Sequence, residues 1–399
     1  MPKRLLRRLR DERGMSFVWV SLGFMAFMTA TTLAIDVGLM MTSRGQSQNS
    51  ADAGALAGAT ALAFDSFTDH TPTGPAVSSA ISTAQANKVV KKTASIAPSD
   101  VEFLFGPNGT QNRVKVTVYR DAAHSTAIPT LMGSLFGVNQ YDIRATATAE
   151  ASPANGVTCV KPFMIPDRWI ENRPTSIWNP QTSTFDMYDN RGNLLNPHDV
   201  YDGDLRSPTY SGYNPTRDKG MQLILRYGTG SNIEPTAYYS WKMPGEIGGD
   251  YYRDNIANCN QFVIPIGSPD PFYMIQEPGA MGGPTIQGID DLIAKDPDAY
   301  WEGGPGLPGC NCMKNSRYGG HNSPRIFPIP LYDPVYYATG KANGRNADFK
   351  LANVLGFFVE RTSSGNQVYG RVTPIIGTIT GGGGPAPAGS FATAIRLVQ

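Results

Sequence analysis

Gly14-Met15-Ser16-Phe17-Val18-Trp19-Val20-Ser21-Leu22-Gly23-Phe24-Met25-Ala26-Phe27-Met28-Thr29-Ala30-Thr31-Thr32-Leu33-Ala34-Ile35 runs without a charge and ends at Asp36. A helix rises about 1.5 Å per residue, so this run reaches roughly 33 Å, enough to cross a hydrocarbon core of roughly 30 Å. The reading is a transmembrane helix over residues 14–36. A secretory leader has a shorter apolar part, about 7 to 15 residues, before its small-residue cleavage site. Ala30, Thr31, Thr32 and Ala34 imitate such a site, but the length favours a retained anchor.

The flanks orient it. Lys3, Arg4, Arg7, Arg8, Arg10 and Arg13 outweigh Asp11 and Glu12 in a basic leader, residues 1–13. Basic flanks stay on the cytoplasmic side, so everything beyond Asp36 is expected outside the cytoplasm. Asp36 itself reads either as a boundary residue in water or as a carboxylate kept for a partner's amine, because a carboxylate is cheap at the membrane edge and costly at its centre.

The helix does not stop at the membrane. No proline occurs between Asp36 and Pro72, and seven alanines crowd residues 51–63, so one long helix is expected to emerge, with a bend at Gly45 allowed. Ala51, Gly54, Ala55, Gly58 and Ala59 form a small-residue face on which another backbone can approach closely. That face suits packing within its own domain and packing on a neighbouring subunit equally well.

Past a Thr/Pro/Gly break at 68–75, helical spacing marks residues 77–92. Strands are expected at Val101–Phe105, Arg113–Tyr119 and Tyr141–Ala149, the first two joined through Gly106-Pro107-Asn108-Gly109, with a short helix over Ile128–Phe136 between the last two. Residues 37–150 thus make a helix plus a small α+β unit. After the linker Ala151-Ser152-Pro153-Ala154-Asn155-Gly156 the texture changes: 16 of 18 tyrosines and four of five tryptophans follow. Residues 157–399 read as a β-rich domain. Its expected strands are Met221–Tyr227, Ala237–Met243, Phe262–Ile266, Phe272–Gln276, Ile326–Leu331, Val354–Glu360, Gln367–Ile376 and a closing strand from Phe391, with one amphipathic helix from Pro284 or Thr285 to Pro297 and a flexible loop at Gly381–Pro387. The fold class is α+β.

Composition narrows the function. A net charge of +1, with no basic block outside the leader, excludes the electrostatic footprint of a nucleic-acid binder. Four single histidines, no G-x-S-x-G, no H-E-x-x-H and no P-loop argue against an enzyme. Cys159, Cys259, Cys310 and Cys312 all fall in the exported part, where two disulfides are the simplest count. A 310/312 bridge closes a very small ring, so each of these two is expected to reach back to Cys159 or Cys259. A metal site from Cys310, Cys312 and His321 has only three ligands and is disfavoured. Asp186, Asp189, Asn193, Asp199, Asp202 and Asp204 are the oxygen-rich cluster; calcium at these carboxylates is the minor reading, a solvated hairpin the main one. The late aromatics fill a thin core or, if Trp178, Trp241 and Trp301 share one exposed surface, bind carbohydrate or protein.

The ordered run Arg13-Gly14, apolar stretch, Leu33-Ala34-Ile35-Asp36-Val37-Gly38, Arg44, Gln46 and Ser50-Ala51-Asp52-Ala53-Gly54-Ala55-Leu56-Ala57-Gly58-Ala59 resembles the N-terminal region of TadE/TadG-like proteins of the tight-adherence (Flp) pilus system, over residues 13–59. The resemblance implies a single-pass protein of the bacterial inner membrane with a periplasmic body. It implies a pilin-like outline for the small α+β unit and accessory work in assembling or anchoring a type IV-related fibre for adherence. Partners implied are the membrane and pilus or platform subunits, with self-association open. Trp19 stands where peptidase-processed members carry glutamate, and no Asp-x-Ser-x-Ser run occurs, so neither maturation at Gly14 nor metal-dependent adhesion is implied. The competing class is a membrane-tethered periplasmic enzyme or carbohydrate-binding module.

Overall fold

The computed structural model describes residues 13–107, 109–228, 232–319, 322–342, 348–379 and 390–398. The chain divides into two compact units. The first comprises residues up to Leu62, Thr68–Glu150 and the last residues from Arg396; the second comprises Ala63–Phe67 and Ala151–Ile395.

The first unit begins with a single uninterrupted helix, α1, Arg13–Phe64, which carries Gly45 in its interior. Residues 15–31 of this helix are all exposed, with Phe17, Trp19, Met25 and Phe27 each about 70% so, and Thr32 is its first buried position. From Ser43 onward one stripe is buried, with Ser43, Ser47, Ser50, Ala51, Ala55, Ala59 and Leu62 recurring every three or four residues. That is the helical period of one face. The stripe packs on α2, Pro75–Ala86, which has proline in its first turn, where the missing N–H costs nothing. The expected helix at 77–92 therefore starts earlier and ends earlier.

An antiparallel sheet completes the unit: β1, Val101–Leu104, pairs with β2, Arg113–Arg120. A short hairpin follows, of β3, Ile128–Pro129, and β4, Gln140–Tyr141. β5, Ile143–Pro153, then pairs along the whole of β2. Val114, Val116 and Val118 alternate inward, so β-branched side chains cover the helices. The helix expected over Ile128–Phe136 is not there. β3 and a single 3-10 turn, Gly133–Phe136, take its place. Leu131 and Leu135 are four apart and imitate a helical face, but Pro129 supplies no amide and Gly137 closes the turn with a left-handed φ of 80°.

The second unit is a closed barrel. Its strands in chain order are β6, Phe163–Pro166; β7, Gln222–Tyr227; and β8, Ala237–Ser240. Helix α3, Gly249–Ala257, strand β9, Tyr273–Ile275, and helix α4, Gly282–Lys295, follow. A hairpin of β10, Tyr300–Gly304, and β11, Leu307–Lys314, precedes β12, Ile326–Tyr332, and α5, Pro334–Ala342. The remaining strands of the chain are β13, Asp348–Ser363; β14, Gln367–Val372; β15, Ile375–Ile376; and β16, Ala392–Val398, of which the last two pair with each other in parallel and are not part of the barrel wall. Around the barrel the order is β13, β12, β6, β8, β7, β14 and back to β13. The sixteen-residue β13 makes closure possible, because it pairs with β12 through one half and with β14 through the other, with a register shift between Val359 and Arg361. Gly356 sits where a Cβ would lie 1.9 Å from the Thr373 carbonyl, so only glycine lets the strand bend this tightly.

The interior is aromatic: Phe163, Phe327, Phe349, Phe357, Tyr238 and Tyr332 are all 2% exposed or less. Trp169 and Trp241 are buried as well, and their indole N–H groups reach Glu171 and the Lys161 carbonyl. Trp301, also buried, donates to Asn311, and Trp178 is half-buried beneath the Arg168 guanidinium, 4.3 Å away. Trp178, Trp241 and Trp301 therefore do not form one exposed surface. Arg325 clamps β13 to the chain before β10, its guanidinium donating to the carbonyls of Asp296, Ala299, Val359 and Glu360. The loop expected at Gly381–Pro387 lies outside the described residues.

Candidate functional site

The segment with both the apolar run and the small-residue run is α1, and the structure divides their work. Among the described residues it is the one helix long and apolar enough to cross a membrane. The small-residue face is occupied from within the first unit. A Cβ built on Gly54 would lie 3.0 Å from the Ala80 carbonyl and 3.0 Å from the Ala84 methyl. On Gly58 it would lie 2.8 Å from Val114 Cγ1. Ala51, Ala55 and Ala59 are fully buried beside them, and Ser50 Oγ donates to the Ala84 carbonyl at 2.7 Å. Of the two uses open to this face, packing within its own domain is the one seen.

Asp36 has a use the sequence reading missed. Its carboxylate accepts the backbone N–H groups of Leu131, Met132 and Gly133 at 2.8, 3.1 and 2.7 Å. These are the amides leading into the 3-10 turn, which would otherwise lack intrachain acceptors. The residue thus caps the β3–β4 hairpin and fixes it to α1. The base of the same hairpin is held higher on the helix, where Ser43 Oγ and Tyr141 OH are 3.2 Å apart. The signal available in the sequence was an acidic residue directly after the apolar run, but the amides that donate to it lie nearly a hundred residues away. Of the topology residues, Arg4, Arg7, Arg8 and Arg10 lie outside the described part, and Arg13 opens α1.

The cysteine pairing differs from the expectation. Cys159 pairs with Cys259, and Cys310 pairs with Cys312. Asn311, between the latter two, has a φ of 50°, a left-handed conformation that asparagine tolerates. This kink draws the two Cα atoms to 5.2 Å, against the roughly 6.6 Å of an extended strand, and the small ring closes. His321 lies outside the described residues.

The acidic cluster is spent on its own loops. Asp199 is buried and accepts from the amides of Asn172, Arg173 and Asp186. Asp189 accepts from Arg191 and Asn193, Asp202 from Thr209 and Asp204, and Asp204 from Arg206. Asp186 is held above its ordinary pKa first by burial and then by Asp199. Among the described residues no three His, Cys, Asp or Glu side chains converge as a metal site.

The second unit also has a polar cleft of about 430 Å³, whose walls include Tyr201, Arg206, Asp270, Phe272, Asp333 and Lys350. Behind it Asp167 is fully buried and accepts from Tyr201 OH, Tyr210 OH and the amides of Arg168 and Tyr213. Burial raises its pKa to about 6 against the pull of these four donors. All four bonds come from the protein itself, which makes Asp167 a hub of loop architecture rather than a group aimed at a substrate.

The feature that characterises this chain is one long helix, apolar and exposed over its first part and packed against its own small domain over its second. Residues 15–61 match the family described as putative Flp pilus-assembly TadE/G-like. The N-terminal region is therefore TadE/TadG-like, over 47 of the 399 residues. No curated protein and no solved structure matches the chain.

Proposed function

We propose that this protein is a membrane-anchored, non-catalytic component of tight-adherence (Flp) pilus assembly, working through protein–protein contacts as an accessory or minor pilin-like subunit. The observation that carries the reading is coincidence: the family match, the exposed apolar residues 15–31 and the buried small-residue stripe fall on the same helix. The basic leader places the N-terminus in the cytoplasm, so both units beyond Asp36 stand in the periplasm of the inner membrane. Paired cysteines in the second unit suit that oxidising compartment. Because the Gly54/Gly58 face is filled by α2 and β2, contacts with pilus or platform subunits belong to the exposed side of the span and to the outer surfaces of the two units.

The test is genetic and topological together. Reversing Arg7, Arg8 and Arg10 to glutamate is expected to scramble topology and abolish surface fibres, counted by electron microscopy and in sheared fractions. The unaltered chain supplied in trans to a deletion strain is expected to restore them. Normal fibres in the deletion strain would remove the pilus role. Recovery of the intact chain from the soluble fraction would remove the anchor.

A further inference from the structure

We propose that the hairpin Ile128–Tyr141 is a second membrane contact, whose tip enters the lipid beside the span at the end away from the basic leader. The proposal rests on the reading of α1 as a membrane span. Three observations carry it, each of a different kind.

The first is level. Met132 and Gly133 share a groove of about 240 Å³ with Thr29, Thr32, Leu33 and Asp36. Thr29 is seven residues nearer the leader than Asp36, roughly 10 Å along the helix. Thr32 is only 6% exposed, while its neighbours Leu33 and Ile35 are 65% and 47% exposed, so the hairpin covers the helix below Asp36 on one side. A hydrocarbon core of roughly 30 Å that starts at Gly14 ends near Leu33, which puts this contact at the lipid boundary.

The second is chemistry. From Ser125 to Tyr141 the chain has no Asp, Glu, Lys, Arg or His. Leu131 and Val138, on the two sides of the tip, are 63% and 53% exposed. Apolar side chains inserted roughly 5–10 Å at the headgroup boundary are how interfacial segments bind a bilayer.

The third is the backbone. Irregular chain is tolerated at membrane depth only where its polar groups are satisfied by the protein. Leu131, Met132 and Gly133 donate to Asp36, Val138 N–H donates to the Gly133 carbonyl, Gly137 N–H to that of Ser134, and Thr130 Oγ1 to that of Val138. The Asp36 carboxylate, in return, receives three donors at the lipid boundary, just outside the depth at which a bare charge becomes costly. Lipid acyl chains, not a partner protein, are the occupant chosen here, because the groove is continuous with the lipid-facing surface of the span.

The experiment uses the full chain in vesicles of phosphatidylethanolamine and phosphatidylglycerol. An NBD fluorophore is placed in turn at Leu131→Cys, at Phe27→Cys within the span, and at Ser78→Cys, exposed on α2. Lipids with doxyl-labelled acyl chains are expected to quench Phe27→Cys and Leu131→Cys to a similar extent and to leave Ser78→Cys bright. Quenching at Phe27→Cys alone overturns the hairpin contact and leaves the anchor standing. No quenching at Phe27→Cys overturns the anchor, and the hairpin contact with it. Equal quenching at all three sites also overturns the proposal, since the tip would then hold no special depth. Val138→Cys reads the same tip from its other strand if Leu131→Cys fails to fold.

Discussion

Two glycines of α1, Gly45 and Gly58, should respond to the same substitution with opposite signs. Gly45→Ala places a methyl in open space, with nothing within 4 Å. Removing a glycine from a helix interior then stabilises by about 0.5–1 kcal/mol. Gly58→Ala gains the same helix propensity, but its Cβ meets Val114 Cγ1 at 2.8 Å and the Ala80 methyl at 3.2 Å. Val114 is fully buried and β-branched, so it cannot swing aside, and overpacking costs roughly 1–3 kcal/mol. The net expectation is about 1 kcal/mol of destabilisation. Gly54→Leu adds a whole side chain against the Ala80 carbonyl, the Ala84 methyl and Val116, and should fall at or beyond the upper end of that range. The assay is hydrogen exchange by mass spectrometry on the full chain in detergent, read on peptides from Pro75–Ala86 and Arg113–Arg120. A gap of about 2 kcal/mol between Gly45→Ala and Gly58→Ala corresponds to roughly thirtyfold in protection. Equal stabilisation by the two alanines would refute the packing described for this face, and would return it to service as a free docking surface.

The second unit should be least stable near neutral pH. Asp167, raised to about 6 by burial, holds a proton in the folded state that the unfolded chain has already released, so its contribution falls as pH rises from about 4 to 6, by roughly 3 kcal/mol. Lys161 is lowered to about 7, first by burial and then by Lys295, so its contribution rises as pH goes from about 7 towards 10. Urea unfolding followed by tryptophan emission should trace this trough, and Asp167→Asn should flatten its acid side; an unchanged slope would count against the buried carboxylate. The two disulfides should differ in weight. Cys159 and Cys259 close a loop of about a hundred residues, which the chain-entropy account values at about 5 kcal/mol, whereas Cys310–Cys312 closes a loop so short that it is worth under about 2. Cys259→Ser should therefore lower the urea midpoint far more than Cys312→Ser, and equal shifts would contradict the pairing.

The sequence was most informative where structure is local. The apolar run and the alanine run make one helix because neither contains a proline, and the alternating valines of β2 could only be a half-buried strand. The helix Gly282–Lys295 was visible from Ile286, Ile289, Leu292 and Ile293. Barrel closure was not visible: it depends on β13 pairing on both sides across a register shift, and period-two alternation is silent on which strand a residue meets. The hairpin β10–β11 escaped notice because Gly303 and Gly304, both at positive φ, break the alternation where the chain turns back. Asp36 and the pair Cys310–Cys312 were misjudged for a shared reason. One finds its donors only once residues 131–133 are folded beside it, and the other depends on a left-handed asparagine.

α1 runs from its apolar part into the first unit without a change of secondary structure, so on the proposed reading no swivel separates the anchor from the domain it carries. A flexible tether would let the domain sample a wide cone of directions at variable height. A continuous rod, braced by Asp36 at one level and by Ser43 at the next, transmits the tilt of its buried end directly to the sheet it supports. On that reading the sheet would be held at one elevation and one azimuth, and a sideways push on the apolar part of the rod would be felt as rotation at its far edge.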